Sequence, residues 1–164
     1  MALAKPRWTE AQYLAFERAS EEKHEFIDGE VVAMSGASEN HNLIVASTIG
    51  NLLAQLRKKT CKIFPSDMRV RVVPRKLYAY PDISIVCGKV LLATDENRDT
   101  LLNPTVIVEV LSPSTEAYDR GKKFMHYRTL ASLQEYILIA QDHVHIERFV
   151  RQPTNEWLLS EIYH

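Results

Sequence analysis

Five glycines in 164 residues leave little room for a phosphate-cradling loop, and neither a P-loop nor a dinucleotide fingerprint is present. Cysteine is scarcer still. Cys61 and Cys87 are too few for a disulfide framework and match no zinc motif, which predicts a reducing compartment. No apolar run reaches the ~20 residues of a membrane span. The stretch Met1 to Glu10 is polar, carries Pro6 and lacks the apolar segment of a signal peptide. A charge excess is missing too. Twenty Lys+Arg against 21 Asp+Glu give a net charge of -1, so the overall field does not draw the chain to nucleic acid. Any DNA contact must come from a local basic patch. A Gly-x-Ser-x-Gly elbow is absent as well, and a helix N-cap explains Ser112, Ser114 and Thr115 better than a nucleophile does. These absences predict a cytoplasmic protein with no membrane partner and no small organic cofactor. The length fits a single domain over 1–164 with one core.

What is present is a regular alternation of patterns. Thr9 to Gln12 has capping-box spacing ahead of an amphipathic run ending near Ser20. Glu25 to Met34 reads as two short strands about an Asp28-Gly29 turn. Ser35 to Asn40 reads as a loop, and His41 to Lys59 as a helix whose Leu43, Ile44, Ser47, Leu52, Leu53 and Leu56 recur at helical spacing. Strands are predicted at 61–64, 69–73, 82–86 and 105–111, with Arg69 and Arg71 on an exposed face. A helix over 115–130 puts Asp119, Lys123 and Tyr127 on one face, and three closing strands follow at 135–139, 144–150 and 157–163. The order predicts a mixed α/β or α+β fold around one sheet.

The chemistry concentrates in two apolar runs. Tyr80-Pro81-Asp82 opens the first, and Glu109 sits among β-branched residues in the second. A carboxylate buried in a strand must be paired, protonated or bound to a cation, because burying it alone costs several kcal/mol. Two carboxylates at matched heights on adjacent strands, ~4.8 Å apart, can share a Mg²⁺ ion. An Asp that caps backbone amides and a Glu paired with an Arg would explain the same residues. Asp119 and Lys123 at i, i+4 match a routine exposed helix pair. Glu25 lies in a charged stretch that solvent could face. His143-Val-His145 has metal-site spacing but no evident third ligand, and His41 at a helix start reads as a cap or surface residue.

Five segments together resemble the bacterial Uma family of restriction-endonuclease-like proteins, within the PD-(D/E)XK nuclease superfamily. They are Glu25-Phe-Ile-Asp-Gly29, Tyr80-Pro-Asp-Ile-Ser84, Val108 to Thr115, Asp119-Arg-Gly-Lys-Lys123 with Tyr127, and Gln134-Glu-Tyr136. The resemblance runs from about Tyr13 to Phe149. It implies a central mixed sheet flanked by helices, with an N-terminal helix and a hairpin. It also implies Mg²⁺-dependent endonuclease activity on DNA, with Mn²⁺ as a substitute. Asp82 and Glu109 would be the metal-binding carboxylates and Glu25 a third acid. The superfamily usually carries a lysine two residues after the second carboxylate, where this chain has Leu111. The resemblance implies that the role passes to Lys123 on the following helix, with Lys122 as the fallback.

Two other readings compete. A binding module on the same fold could use Arg57, Lys58, Lys59, Arg69, Arg71 and Arg75 against phosphates. A homodimer could pair through Ile137-Leu-Ile139, Phe149 and Trp157.

Overall fold

The computed structural model describes residues 7–163. The reading of Met1 to Glu10 as lacking a signal peptide falls, for its first six positions, outside the described residues. Thr9 starts helix α1 (Glu10–Ala19) with both halves of a capping box. Its hydroxyl accepts the Gln12 N–H, and its own N–H donates to the Gln12 side chain. The hairpin follows as β1 (His24–Ile27) and β2 (Glu30–Ala33). Its turn residues Asp28 and Gly29 take φ of 44° and 91°, the left-handed conformation that a tight hairpin turn requires. A Cβ on Gly29 would lie 2.9 Å from Arg7 Cβ, so conformation and space both hold glycine there.

Helix α2 (Glu39–Leu56) begins two residues before His41, because the Ser38 hydroxyl accepts the His41 N–H and caps it. The chain then runs through β3 (Cys61–Pro65), β4 (Arg69–Val72), β5 (Leu77–Ala79), β6 (Ile83–Cys87), β7 (Thr100–Leu101) and β8 (Val106–Val110). A helical segment over 116–127, here α3, comprises an α-turn Glu116–Tyr118, a π-helical turn Asp119–Lys123 and a last α-turn Phe124–Tyr127. It stops short of the predicted position 130. Strands β9 (Glu135–Ile139), β10 (His145–Arg151) and β11 (Trp157–Tyr163) complete the order.

The mixed α/β architecture is present, with the strands distributed over two sheets. One has the order β2-β1-β5-β4-β7, the other β11-β10-β9-β8-β6-β3. Each is mixed, since β4 with β7 and β8 with β9 pair in parallel and the rest antiparallel. The main core lies where the sheets and α3 meet. Val70, Val72, Leu77 and Ala79 from the first sheet join Val86, Ile107, Tyr136 and Leu138 from the second, with Phe124 and Tyr127 from α3. Helix α2 covers the other face of the six-stranded sheet through Val45, Ile49, Leu52 and Leu56. Tyr13 of α1 stacks on Phe26 and meets Tyr78 at a tilt, both on the five-stranded sheet.

Several expectations are corrected here. Arg69 is 2% exposed rather than on a solvent face. Its guanidinium donates to Tyr80 Oη at 3.0 Å and Thr100 Oγ1 at 3.1 Å, and it pairs with Asp99 at 2.9 Å. Arg71 pairs with Glu10 at 2.7 Å. The proposed phosphate-contacting face is thereby reduced to Arg57, Lys58, Lys59 and Arg75. Ile137 and Ile139 pack with the α2 layer, Leu138 lies in the main core, and Phe149 and Trp157 close on Phe124. The residues nominated for a dimer face are thus engaged within the chain. Cys61 and Cys87 stand opposite one another in the β3–β6 register and form a disulfide.

Candidate active site

The chain crosses from one sheet to the other at Tyr80-Pro81-Asp82, between β5 and β6. Asp82 therefore stands where the sheets diverge. Ile83 pairs with Val108, so Asp82 falls opposite Glu109, one step further along the antiparallel register. The two residues exchange hydrogen bonds with each other's strand. The Asp82 N–H donates to Glu109 Oε2 at 3.3 Å, and the Val110 N–H donates to Asp82 Oδ2 at 2.7 Å.

The other acids arrive from elsewhere in the fold. Glu25 reaches in from β1 of the five-stranded sheet, and Asp119 from the π-helical turn of α3. Lys123, at the end of that turn, ties the group together. Its Nζ lies 2.9 Å from Glu109 Oε1, 3.2 Å from Glu25 Oε1 and 3.4 Å from Asp119 Oδ1. All four side chains are buried, with Lys123 only 5% exposed, whereas Lys122 faces solvent. Lys123 rather than the fallback Lys122 thus carries its ammonium into the acid group. Leu111 lies in the main core. The exposed-pair reading of Asp119 and Lys123 is overturned, because α3 turns that face inward against β8 and β9. Tyr127 Oη donates to Glu109 Oε1 at 3.4 Å, and Tyr136 Oη donates to the Asp119 carbonyl at 2.9 Å.

The site is short of positive charge. Burial pushes the Glu109 carboxyl well above its ordinary value; Lys123 pulls it down, while Asp82 and Asp119 push it further up. Burial also raises Asp119. Burial alone would lower Lys123, but Glu109, Tyr127, Glu25 and Asp119 outweigh it and hold the ammonium charged. Three carboxylates thus share one lysine, with Asp82 beside them.

Sequence reasoning missed two members of this group. His41, in the first turn of α2, sets Nε2 3.1 Å from Asp82 Oδ2. That hydrogen bond, more than the opposing burial, raises its imidazole pKa. Tyr118 places its ring 5.8 Å from Lys123 Nζ. These side chains line a cavity of about 1000 Å³ bounded by the hairpin, the loop before α2 and the start of α3. Glu25 Oε1, His41 Nδ1 and Tyr118 Oη are buried there without a hydrogen-bond partner. Glu25 Oε1 is in ionic reach of Lys123 but is aligned with no donor. Buried polar atoms are normally paired, so three orphans at one cavity mark a place for a polar or charged guest. An all-oxygen donor set with surplus negative charge suits a hard divalent cation.

The His143-Val-His145 pair does acquire acidic neighbours. His145 Nε2 lies 3.3 Å from Glu161 and 3.7 Å from Glu147. Arg120 already pairs with Glu147, so a cation is supplied there from within the chain.

The family is settled by a match over residues 10–164 to the Uma2 model, described as putative restriction endonuclease. This chain belongs to the Uma2 family. Two relatives in Synechocystis sp. are uncharacterized proteins: sll1609 is 37% identical over 94% of this chain and 86% of its own length, and slr1290 is 35% identical over 94% and 80%. A crystal structure of a putative nuclease belonging to DUF820 from Anabaena variabilis superposes with a TM-score of 0.74. It covers 93% of this chain and 83% of that one at 19% identity, a likeness of fold. Among the described residues no helix is long and apolar enough to cross a membrane.

Proposed function

We propose that this Uma2 member is a divalent-metal-dependent endonuclease that hydrolyses phosphodiester bonds in DNA. The observation that carries the reading is the inward-facing group of Glu25, Asp82, Glu109 and Lys123 at a cavity with surplus negative charge. Asp82 and Glu109 would hold the cation, Mg²⁺ with Mn²⁺ as substitute. When bound, such an ion polarises the phosphoryl oxygen and makes its water more acidic. Lys123 supplies, from the helix, the positive charge that Leu111 cannot supply from the strand. Its ammonium is close enough to Glu109 to hold an attacking water or a phosphate oxygen at the same place. Glu25 reaches Lys123 with Oε1 from the side of the other sheet and adds a third acid, as a further ligand or proton acceptor. Family membership and the nuclease-like fold support this reading.

The test is cleavage of mixed double- and single-stranded DNA with Mg²⁺ or Mn²⁺ by wild type, Asp82→Ala and Lys123→Ala. Cutting should need the metal and fall about 100-fold or more in both variants, the size of loss when one charge-stabilising group is removed. Metal-dependent cutting that survives Asp82→Ala at the wild-type rate would overturn the reading.

A further inference from the structure

The Asp82 carboxylate is held unevenly. Oδ2 accepts two hydrogen bonds, from the Val110 N–H at 2.7 Å and from His41 Nε2 at 3.1 Å. Oδ1 makes no hydrogen bond among the described residues. An ionised carboxylate only accepts, so the proton between the two side chains belongs to Nε2. Asp82 is the one side chain that hydrogen-bonds the His41 ring among the described residues, and Nδ1 is buried without a partner.

The backbone that carries the ring is held by a cap. Ser38 Oγ accepts the His41 N–H at 3.1 Å and lies 2.6 Å from Gln141 Oε1, to which it donates. The first turn of α2 is thereby tied to the loop between β9 and β10. An N-cap needs only the backbone of residue 41, so the cap does not account for an inward imidazole. The engagement of Asp82 does.

We propose that His41 is a positioning residue for the metal-binding carboxylate. By occupying Oδ2 together with the Val110 N–H, it fixes the plane of the Asp82 carboxylate. It leaves Oδ1 alone to face the cavity, so that Asp82 acts as a one-oxygen ligand to a divalent cation. The inference rests on the metal-site reading of the preceding subsection. Ligating carboxylates are commonly held in this way by outer hydrogen bonds, whose loss typically costs 10- to 100-fold in metal affinity.

The experiment is calorimetric titration of Mn²⁺ into the substrate-free protein. It compares wild type, Asp82→Ala, His41→Ala, His41→Leu and His41→Gln, each with its melting temperature. His41→Ala should bind Mn²⁺ about tenfold or more weakly. His41→Gln, whose amide restores an N–H donor at similar reach, should recover most of that loss. His41→Leu, which fills the space without a donor, should behave like His41→Ala and replaces it if that variant does not fold. In cleavage assays the deficit should be a higher metal requirement, with turnover at saturating metal close to wild type. Wild-type Mn²⁺ affinity in folded His41→Ala or His41→Leu, while Asp82→Ala has lost binding, overturns the role of His41 and leaves the metal site standing. Equal weakness of His41→Gln and His41→Leu also counts against it. Absence of Mn²⁺ binding in the wild type overturns the metal site and, with it, this inference.

Discussion

At the scale of single residues, Lys123 is the pivot. Three carboxylates converge on its ammonium in a buried setting. Removing one partner from such a group strands the others, at a cost of about 3–5 kcal/mol. Lys123→Met should therefore lower stability by about that much at neutral pH, as measured by urea denaturation. A loss below about 1 kcal/mol would mean that the acids are neutralised some other way. The same geometry sets a pH dependence. Glu109 is held well above 4.5, first by burial. The folded state thus binds its proton more tightly than the unfolded one. That contribution is full below pH 4.5 and is lost as pH rises toward the elevated value. Glu109→Gln has no such proton to lose, so it should gain stability relative to wild type as pH climbs from 4.5 to 8. Thermal melts across that range give the difference directly, and parallel curves would contradict it. Glu25, Asp82, Glu109 and Lys123 were legible from sequence through the five-segment resemblance. His41 was not, because its partner Asp82 is distant in the chain and a histidine at a helix start has commoner uses. Asp119 and Lys123 show why spacing is a partial guide: it puts two residues on one face but does not say what that face meets.

At the scale of elements, the helix after β8 was foreseen and its π-helical turn was not. Helical periodicity carries no mark of one extra residue per turn, yet such turns are frequent at functional sites. Here the turn holds both Asp119 and Lys123. Gly121 lies within it with an ordinary φ and open space where a Cβ would go. Gly121→Ala should therefore stabilise the protein by about 0.5–1 kcal/mol through helix propensity alone, read from chemical denaturation. A destabilised variant would show that the turn must open or deform. Strands β5 and β7 escaped prediction because they are three and two residues long, too short for alternation to register. Arg69 was misassigned because alternation in β4 counts a charged residue as exposed, whereas Tyr80, Thr100 and Asp99 give its guanidinium a polar pocket inside.

At the scale of the whole molecule, the division into two sheets was invisible from sequence, since strand patterns say nothing about partners. The disulfide follows from the same pairing. Cys61 and Cys87 are 26 residues apart and meet only because β3 lies antiparallel to β6. The closed loop includes β4, β5 and the crossing that carries Asp82. Constraining a loop of that size should stabilise the fold by about 3 kcal/mol. Denaturation with and without reductant, against a Cys61→Ala/Cys87→Ala control, measures it; coincident curves would show that the bond contributes nothing.

The acids of the proposed active site come from both sheets, Glu25 from one and Glu109 from the other, bridged by a lysine on a helix packed between them. No hairpin, half-chain or single sheet holds the full set. In a nascent or half-unfolded chain the set does not exist: it forms only once both sheets have come together, and it is lost as soon as they part.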